Sequence, residues 1–323
     1  MFFAHDSLRV LVLALVLDAL IGDPEPLWKR APHPVVVFGW MIDRLDAALN
    51  NERRTDTLRR ATGVLAIVVL VAGSATLGWL IQRVLNALPA GWTVEAIVAS
   101  VFIAQRSLYE HVARVRAAFA SGGLLEARRA VSAVVGRDPQ ALDETGVCRA
   151  AIETTAENFS DGVVAPAFWF ALLGLPGLLA YKVINTADSM IGHLTERYRA
   201  FGWAAARLDD LVNLVPARLS ALLLALVAPV TGGSTAGSLR VALSDAKKHR
   251  SPNAGWPESA MAAALGVALA GPRVYPERVV DDPFVNALGR KDARPDDIGR
   301  ALKLFVAACV FEGVVYAALA LLV

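Results

Sequence analysis

Long apolar runs alternate with compact polar blocks along this chain, and the lengths of the apolar runs predict helices that cross a lipid bilayer. A spanning helix needs about 20 apolar residues, and residues 63–88 and 302–323 both meet this length. Ser74 and Gly78 are four positions apart, a spacing of small residues that favours close contact between membrane helices. The pattern predicts an all-α fold, a polytopic membrane bundle with amphipathic cytoplasmic helices.

Shorter apolar runs leave the number of spanning or re-entrant segments at about four to six. Residues 8–21 are followed by no small-residue cleavage site, so we interpret them as a short or tilted span rather than a signal peptide. Residues 163–181 contain Gly174 and Pro176, which interrupt helical hydrogen bonding and favour a re-entrant hairpin over a simple span. Residues 94–104 are expected to return through the membrane and continue into the next helix. Further short runs cover residues 219–230 and 261–270.

Clusters of Lys and Arg predict the orientation, because positive residues are enriched on the cytoplasmic side of a membrane. The clusters fall in residues 23–60, 106–149 and 240–303, which places the N-terminus outside and the polar site on the cytoplasmic face of the inner cell membrane. The basic segment 182–207 fits this orientation only if the hairpin at residues 163–181 does not cross the membrane. Asp18 and Glu312 lie inside apolar runs and are expected to face protein or water.

We expect a single membrane-embedded domain over residues 1–323. A more soluble helical insertion is predicted at about 106–160, where amphipathic helices flank a turn at residues 136–139. A polar loop region is predicted at about 240–300.

Composition narrows the function classes. An apolar content of 55% is high for a soluble protein, and a net charge of +2 provides no broad cationic surface for nucleic acid. Cys148 and Cys309 have no metal-ligand spacing and are interpreted as free thiols. The sequence contains no phosphate-binding P-loop, no dinucleotide-binding glycine motif and no His-Glu-x-x-His pair, so any nucleotide site is unconventional.

The polar residues form five blocks, and the first two combine turns with carboxylates. Block one, residues 22–35, places Asp23 and His33 on a proline-rich loop, although such a turn is often only structural. Block two, residues 156–162, follows Glu153 and places three carboxylates at i,i+4 spacing. Their repulsion favours a divalent cation or a basic partner, although a solvated acidic helix face is equally common.

Blocks three and four are acidic and carry amides. In residues 181–193, Lys182, Asn185, Asp188 and Ser189 share one side of a helix, which indicates either a site or a Lys–Asp pair that locks helices together. In residues 208–218, Asp209 and Asp210 precede Asn213 by one turn, a pattern suited to Mg²⁺. The alternative to a metal site is that an aspartate caps a helix, and this explains only one of the two aspartates.

Block five, residues 247–258, is basic and is constrained by proline and glycine. Lys248, His249 and Arg250 suit phosphate or carboxylate binding. Contact with lipid headgroups is the alternative interpretation of such a basic segment.

Taken together and in this order, the blocks resemble the adenosylcobinamide-phosphate synthase family, the integral-membrane CbiB/CobD proteins of cobalamin biosynthesis, over nearly the whole chain. The matching strings are Gly22-Asp23-Pro24, His33-Pro34-Val35, Glu157-Asn158, Asp161-Gly162, Tyr181-Lys182, Asn185-Thr186, Asp188-Ser189-Met190, Asp209-Asp210, Asn213, Pro216-Ala217-Arg218 and residues 249–257. Pro139, where a threonine is expected after the aspartate, and His193, where the family often has tyrosine, depart from the pattern.

The resemblance implies an amide ligase. Adenosylcobyric acid would be joined through a propionate carboxylate to (R)-1-amino-2-propanol or its O-phosphate, with ATP as co-substrate and Mg²⁺. An acyl phosphate would activate the carboxylate. The choice between free and phosphorylated amino-alcohol stays open, as does docking on the downstream membrane-bound cobalamin synthase.

The resemblance and the chemistry of the side chains together give a role to each candidate. The expected catalytic residues are Glu157, Asp161, Lys182, Asp188 and His249. The expected substrate- or phosphate-binding residues are Asp23, His33, Asn158, Asn185, Ser189, Asn213, Arg218, Lys248, Ser251 and Asn253. The expected metal ligands are Asp209 and Asp210, with Glu157 and Asp161 as further candidates.

Two other function classes compete with the ligase. One is a non-catalytic sensor of the AmpE type, a distant relative of the family, and the density of polar blocks argues against it. The other is a small-molecule transporter, for which broken helices and intramembrane carboxylates are typical. No inverted repeat is evident in the sequence, which argues against a transporter.

Overall fold

Helices dominate the computed structural model, which describes residues 5–132, 142–275, 278–280 and 282–322. The turn predicted at residues 136–139 lies outside these ranges. The helices of the described residues are α1 (His5–Ile21), α2 (Glu25–Trp28), α3 (Pro34–Leu49), α4 (Asp56–Asn86), α5 (Gly91–Ser100), α6 (Gln105–Ser132), α7 (Glu144–Phe159), α8 (Ala165–Ile191), α9 (Trp203–Val212), α10 (Leu214–Val227), α11 (Thr235–Asp245), α12 (Gly255–Leu265) and α13 (Pro295–Leu322).

Short elements complete the fold. A π turn (Ser160–Val164) follows α7, and two 3₁₀ turns (Ala228–Thr231 and Ala246–Lys248) follow α10 and α11. Strand β1 (Leu269–Ala270) pairs antiparallel with β4 (Phe284–Val285), and β2 (Arg273–Tyr275) pairs antiparallel with β3 (Arg278–Val280). Both cysteines are free and buried, as predicted.

Four helical segments of the described chain are long and apolar enough to cross a membrane. They cover residues 56–86, 144–191, 214–231 and 295–322. Only 28% of the most apolar stretch is buried in the first and 33% in the last, so each presents an apolar face outward. An exposed apolar face is stable in contact with lipid and unfavourable in contact with water. The predicted polytopic membrane bundle is therefore confirmed.

The shorter apolar runs differ from the prediction in two places. Helix α5 ends at Ser100 and α6 begins at Gln105, so residues 94–104 do not continue into one helix. The ten residues of α5 extend about 15 Å, about half of a bilayer core. Residues 261–270 leave α12 at Leu265 and enter β1, so they form no spanning helix.

The chain forms two compact units. Unit 1 comprises the described residues of 1–104, 165–213 and 316–323, and unit 2 those of 105–164 and 214–315. The predicted soluble insertion and the predicted polar loop region both belong to unit 2. Asp18 of unit 1 and Glu312 of unit 2 are each 3% exposed, so protein surrounds both carboxylates, as expected.

Within unit 1, α8 bends sharply at Gly174, which has a φ of +66°. In a straight helix, residues 169 and 177 would be about 12 Å apart. Here the Trp169 carbonyl oxygen lies 2.5 Å from the position that a Cβ atom on Gly177 would take. Gly174 and Pro176 therefore divide α8 into two legs, in agreement with the predicted hairpin.

The bend packs against α4 through Gly78. A Cβ atom at Gly78 would lie 2.7 Å from the Leu175 carbonyl oxygen, and a backbone atom cannot move aside as a side chain can. Ser74 of the same small-residue pair is also buried. The close helix contact predicted from this pair is present.

We expect Gly78→Ala to lower the thermal unfolding midpoint in detergent by several degrees, because the added methyl group overlaps the backbone of α8 by an amount that costs about 1 to 3 kcal/mol. Gly73→Ala is the matched control, since a Cβ atom there meets nothing within 4 Å. Equal midpoints for the two variants would contradict the close packing.

Candidate functional site

An acidic cluster of Asp188, Asp209 and Asp210 lies where α8 meets α9 in unit 1. Asp188 is in the last turn of α8, and the other two are in the last turn of α9. The Asn185 side-chain amide of α8 donates to Asp209 Oδ1 at 3.4 Å, so blocks three and four are in contact.

Two further hydrogen bonds fix α9 against α8. The Tyr181 hydroxyl donates to Asn213 Oδ1 at 3.1 Å, and the Trp169 indole donates to the Val212 carbonyl at 3.2 Å. Asn213 is only 1% exposed. Both legs of α8 therefore hold the segment that carries the two aspartates.

The carboxylates of the cluster disfavour one another's ionised forms. Burial, followed by the negative charge of Asp188, raises the pKa of Asp209 to about 7, although the Asn213 and Asn185 amides oppose the change. Burial also raises the pKa of Asp210, against the opposing effect of Arg207, whose guanidinium lies 3.4 Å from Asp210 Oδ2. A bound cation would relieve this repulsion.

Two hydroxyl groups on α8 bond to their own helix. The Ser189 hydroxyl donates to the Asn185 carbonyl at 3.0 Å, and the Lys182 carbonyl accepts from the Thr186 hydroxyl at 2.7 Å. Both carbonyls are one turn upstream, so the hydroxyls are satisfied without a ligand. Lys182 is half-buried on the same helix.

Asp23 and His33 of unit 1 organise the loop that leads into α3. His33 Nδ1 accepts from the Val35 N–H at 3.2 Å and caps α3, while its Nε2 lies 3.5 Å from Asp23 Oδ1. The ring also packs edge-on against Trp28, with centroids 4.5 Å apart. No hydrogen bond or ion pair joins this described pair to the acidic cluster, and the local contacts match the structural alternative.

In unit 2, residues 249–254 form the His249 loop, which folds on its own side chains. His249 Nδ1 accepts from the Ser251 N–H at 3.1 Å, and Nε2 lies 3.6 Å from Glu258 Oε1. The Ser251 hydroxyl accepts from the N–H groups of Asn253 and Ala254, both at 3.2 Å. Both ring nitrogens of His249 therefore have partners inside unit 2.

Arg218 of α10 reaches this loop. Its Nη1 lies 3.4 Å from Asn253 Oδ1 and 2.6 Å from the Leu214 carbonyl oxygen. Its guanidinium stacks over the Trp256 ring at 4.6 Å from the centroid. Arg218, His249, Ser251 and Asn253 were all predicted to bind substrate or act on it, and the fold joins them in one patch, hereafter the Arg218 patch. Sequence reasoning missed Glu258, which is 2% exposed, because nothing in the sequence pairs it with His249.

Lys248 points to a different partner. Its Nζ lies 2.7 Å from Asp245 Oδ1, and the Asn286 N–H donates to Asp245 Oδ2 at 2.9 Å. Burial of Asp245 works to raise its pKa, but the bonds from Lys248, Asn286 and Ser244 outweigh this and lower it. Asp245 thus joins α11 to the residue after β4, and Lys248 pairs with the second oxygen of its carboxylate.

This pairing predicts an acid-stability effect. A carboxylate with a lowered pKa in the folded state stabilises the protein above its unfolded pKa of about 3.9, and the contribution disappears as the pH falls through the folded pKa. Lys248→Met is expected to move acid unfolding to higher pH, measured by tryptophan fluorescence in detergent. The adjacent and exposed Lys247→Met serves as control, and identical acid transitions would refute the pairing.

Block two lies at the end of α7 in unit 2. Glu153 is buried and its Oε1 accepts from the Ala270 N–H at 2.7 Å, whereas Glu157 is exposed. The Asn158 amide donates to the Thr154 carbonyl at 3.0 Å. Asp161 lies beyond the α-helix in the π turn, so the three carboxylates do not form the even row that ideal i,i+4 spacing predicts. A π turn is often found at functional sites.

No group of three His, Cys, Asp or Glu residues in the described part of the chain is arranged to hold a metal ion. Mg²⁺ commonly binds through one or two carboxylates, water and substrate phosphate. The donor chemistry of the Asp209 and Asp210 pair fits such an ion, and the pair stays a predicted magnesium site.

The spanning helices, the acidic cluster and the Arg218 patch are features of a membrane protein that carries clusters of polar and charged side chains. A family model described as CobD/Cbib protein matches residues 11–305. The chain therefore belongs to the CobD/CbiB family of cobalamin biosynthesis proteins, as its resemblance predicted.

Curated relatives named "Cobalamin biosynthesis protein CobD" are similar over nearly the full length. One from Sinorhizobium sp is 54% identical over 314 residues, which cover 96% of this chain and 97% of the relative. One from Rhizobium meliloti (strain 1021) is 53% identical, with 98% of each covered. One from Rhodobacter capsulatus is 48% identical, with 92% of each covered. No solved structure gives a significant match.

Proposed function

We propose that this chain is an adenosylcobinamide-phosphate synthase, which joins a propionate carboxylate of adenosylcobyric acid to the amine of (R)-1-amino-2-propanol O-phosphate, using ATP and Mg²⁺. The observation that carries the proposal is the acidic cluster, in which amides and helix contacts hold half-buried like charges together. Membership in a cobalamin biosynthesis family supports the choice of substrates.

The proposed reaction has two steps. The substrate carboxylate attacks the γ-phosphorus of ATP, the bond to the bridging oxygen breaks, and ADP leaves with that electron pair. The neutral amine then attacks the carbonyl carbon of the acyl phosphate, inorganic phosphate leaves, and a base takes the amine proton. The net change consumes one ATP for each amide bond formed.

The acidic cluster would act on the cationic partners of this reaction. Asp209 and Asp210 would hold Mg²⁺, which would supply positive charge beside the phosphate groups. Asp188 would orient the amino group of the amino-alcohol. Half-buried carboxylates that repel one another are stabilised by a cation, which is why this end of α9 suits these roles.

The basic residues would act on the anionic groups. Arg218 would bind phosphate or carboxylate through the guanidinium edge that Trp256 and Asn253 orient. Lys182 would stabilise the negative charge that develops during transfer. We assign the base to Glu157, with Asp161 as its neighbour, because Glu157 is an exposed carboxylate beside the π turn, whereas His249 Nδ1 accepts a backbone N–H and shapes its loop.

The direct test is turnover by the purified full chain in detergent. Adenosylcobyric acid, aminopropanol phosphate and ATP–Mg²⁺ are expected to yield the amidated corrinoid, identified by mass, with one ADP released per product. Free aminopropanol in a parallel reaction identifies the true acceptor. A sensor or a transporter would give no amide, and product formed without ATP would refute the acyl-phosphate route.

A further inference from the structure

An open cleft that no candidate site residue lines lies at the C-terminal end of α4. Its volume is about 470 Å³, and Trp79, Gln82, Arg83, Asn86 and Ala87 line it. The Arg83 guanidinium lies 5.6 Å from the centroid of the Trp79 ring. The cleft therefore combines an aromatic face, a permanent cation and side-chain amides.

The polar groups of this cleft are available to a ligand. Among the described residues, Arg83 has no carboxylate partner and Asn86 makes no side-chain hydrogen bond, while the Gln82 amide donates to Glu95 Oε1 at 2.7 Å. Arg83 and Asn86 are both exposed. A charged guanidinium beside an unused amide is complementary to a phosphate oxygen pair.

The position of the cleft along α4 indicates what it faces. At the other end of this helix, Arg60 lies over Trp203, 6.0 Å from the ring centroid. The 19 positions from Arg60 to Trp79 extend about 28 Å along a helix, which matches a bilayer core of about 30 Å. Tryptophan and arginine are typical of both headgroup planes, so the cleft lies at headgroup depth.

We propose that this cleft binds one phospholipid of the bilayer, with its phosphodiester on Arg83 and Asn86 and its glycerol ester region on Trp79. Leu80 and Val84 are 49% and 61% exposed beside the cleft and provide the apolar surface along which the acyl chains lie. The ligand class is a glycerophospholipid, because it combines the phosphate, the glycerol ester region and the acyl chains that these neighbouring groups match.

The test is native mass spectrometry of the full chain titrated with phosphatidylglycerol, with diacylglycerol of the same acyl chains as the phosphate-free probe. Phosphatidylglycerol is expected to bind and diacylglycerol to bind at least fivefold more weakly. Arg83→Gln is expected to weaken binding of the first phospholipid about fivefold, the effect of losing one cation near a phosphate. Arg60→Gln is the control, since Arg60 lies on the same helix outside the cleft and also has a tryptophan partner, Trp203.

Several results would overturn the proposal. These are unchanged lipid binding by Arg83→Gln, an equal loss in Arg60→Gln, and displacement of the lipid by inorganic phosphate alone. Arg83 is exposed, so the variant is expected to fold, and Trp79→Ala provides a second independent weakening of the same site. The measurement detects bound lipid and not turnover, so its outcome is independent of the proposed ligase activity.

Discussion

Replacing Asp209 by asparagine is expected to lower amide synthesis by about 100-fold or more, the usual effect of removing a preorganised charged group from an active site. The substitution keeps the shape of the side chain and its contact with Asn185, but removes the charge that would attract Mg²⁺ or the ammonium group. Because it also removes repulsion toward Asp188 and Asp210, the thermal midpoint is expected to stay the same or to rise.

This combination of lost activity and retained stability distinguishes a functional carboxylate from a structural one. Asp43→Asn is the matched control, an exposed aspartate in the same unit, and is expected to leave turnover unchanged. Turnover of purified protein and differential scanning fluorimetry measure the two quantities. Full activity in Asp209→Asn would remove the acidic cluster from the mechanism.

The fold was predictable wherever one segment contains its own signal. The apolar runs at residues 63–88 and 302–323 needed only length, and the bend in α8 followed from Gly174 and Pro176. The β pairs were not predictable, because strands of two or three residues are too short to show alternation. The split of residues 94–104 depends on turns whose sequence resembles the neighbouring helices.

The sequence groups the candidate residues but does not reveal which partner each side chain contacts. Asn185 contacts Asp209, and Arg218 contacts Asn253, which agrees with their grouping as candidates. Lys248 pairs with Asp245 three positions earlier, a helical i,i+3 spacing that the sequence contains. The bond from the Asn286 N–H to the same carboxylate depends on the return of the chain, which no local pattern encodes. The tertiary fold thus decides which partner an individual side chain contacts, which the polar blocks of the sequence do not show.

An ionic network centred on Asp46 is expected to give the second large effect, this time on stability. Asp46 of α3 is 6% exposed, and its Oδ2 lies 2.6 Å from Arg197 Nη2 while its Oδ1 accepts from the Asn50 amide at 2.7 Å. Asn50 in turn accepts from Arg59 Nε at 3.0 Å, and Arg59 also donates to the Arg197 carbonyl. The network ties α3 and α4 to the segment between α8 and α9.

Asp46→Ala is expected to lower the free energy of unfolding by about 2 to 3 kcal/mol, because Arg197 and Asn50 lose their acceptor together and buried Arg59 loses its ordered partner. Unfolding by denaturant in detergent measures this change. Glu52→Gln provides the control: Glu52 is 3.1 Å from the same Arg197 but well exposed, so its loss is expected to change stability by less than about 1 kcal/mol. Residues 192–202 connect α8, which carries Asp188, to α9, which carries Asp209 and Asp210. Asp46→Ala should therefore also reduce turnover. Similar small losses of stability in Asp46→Ala and Glu52→Gln would show that the network does not hold this segment.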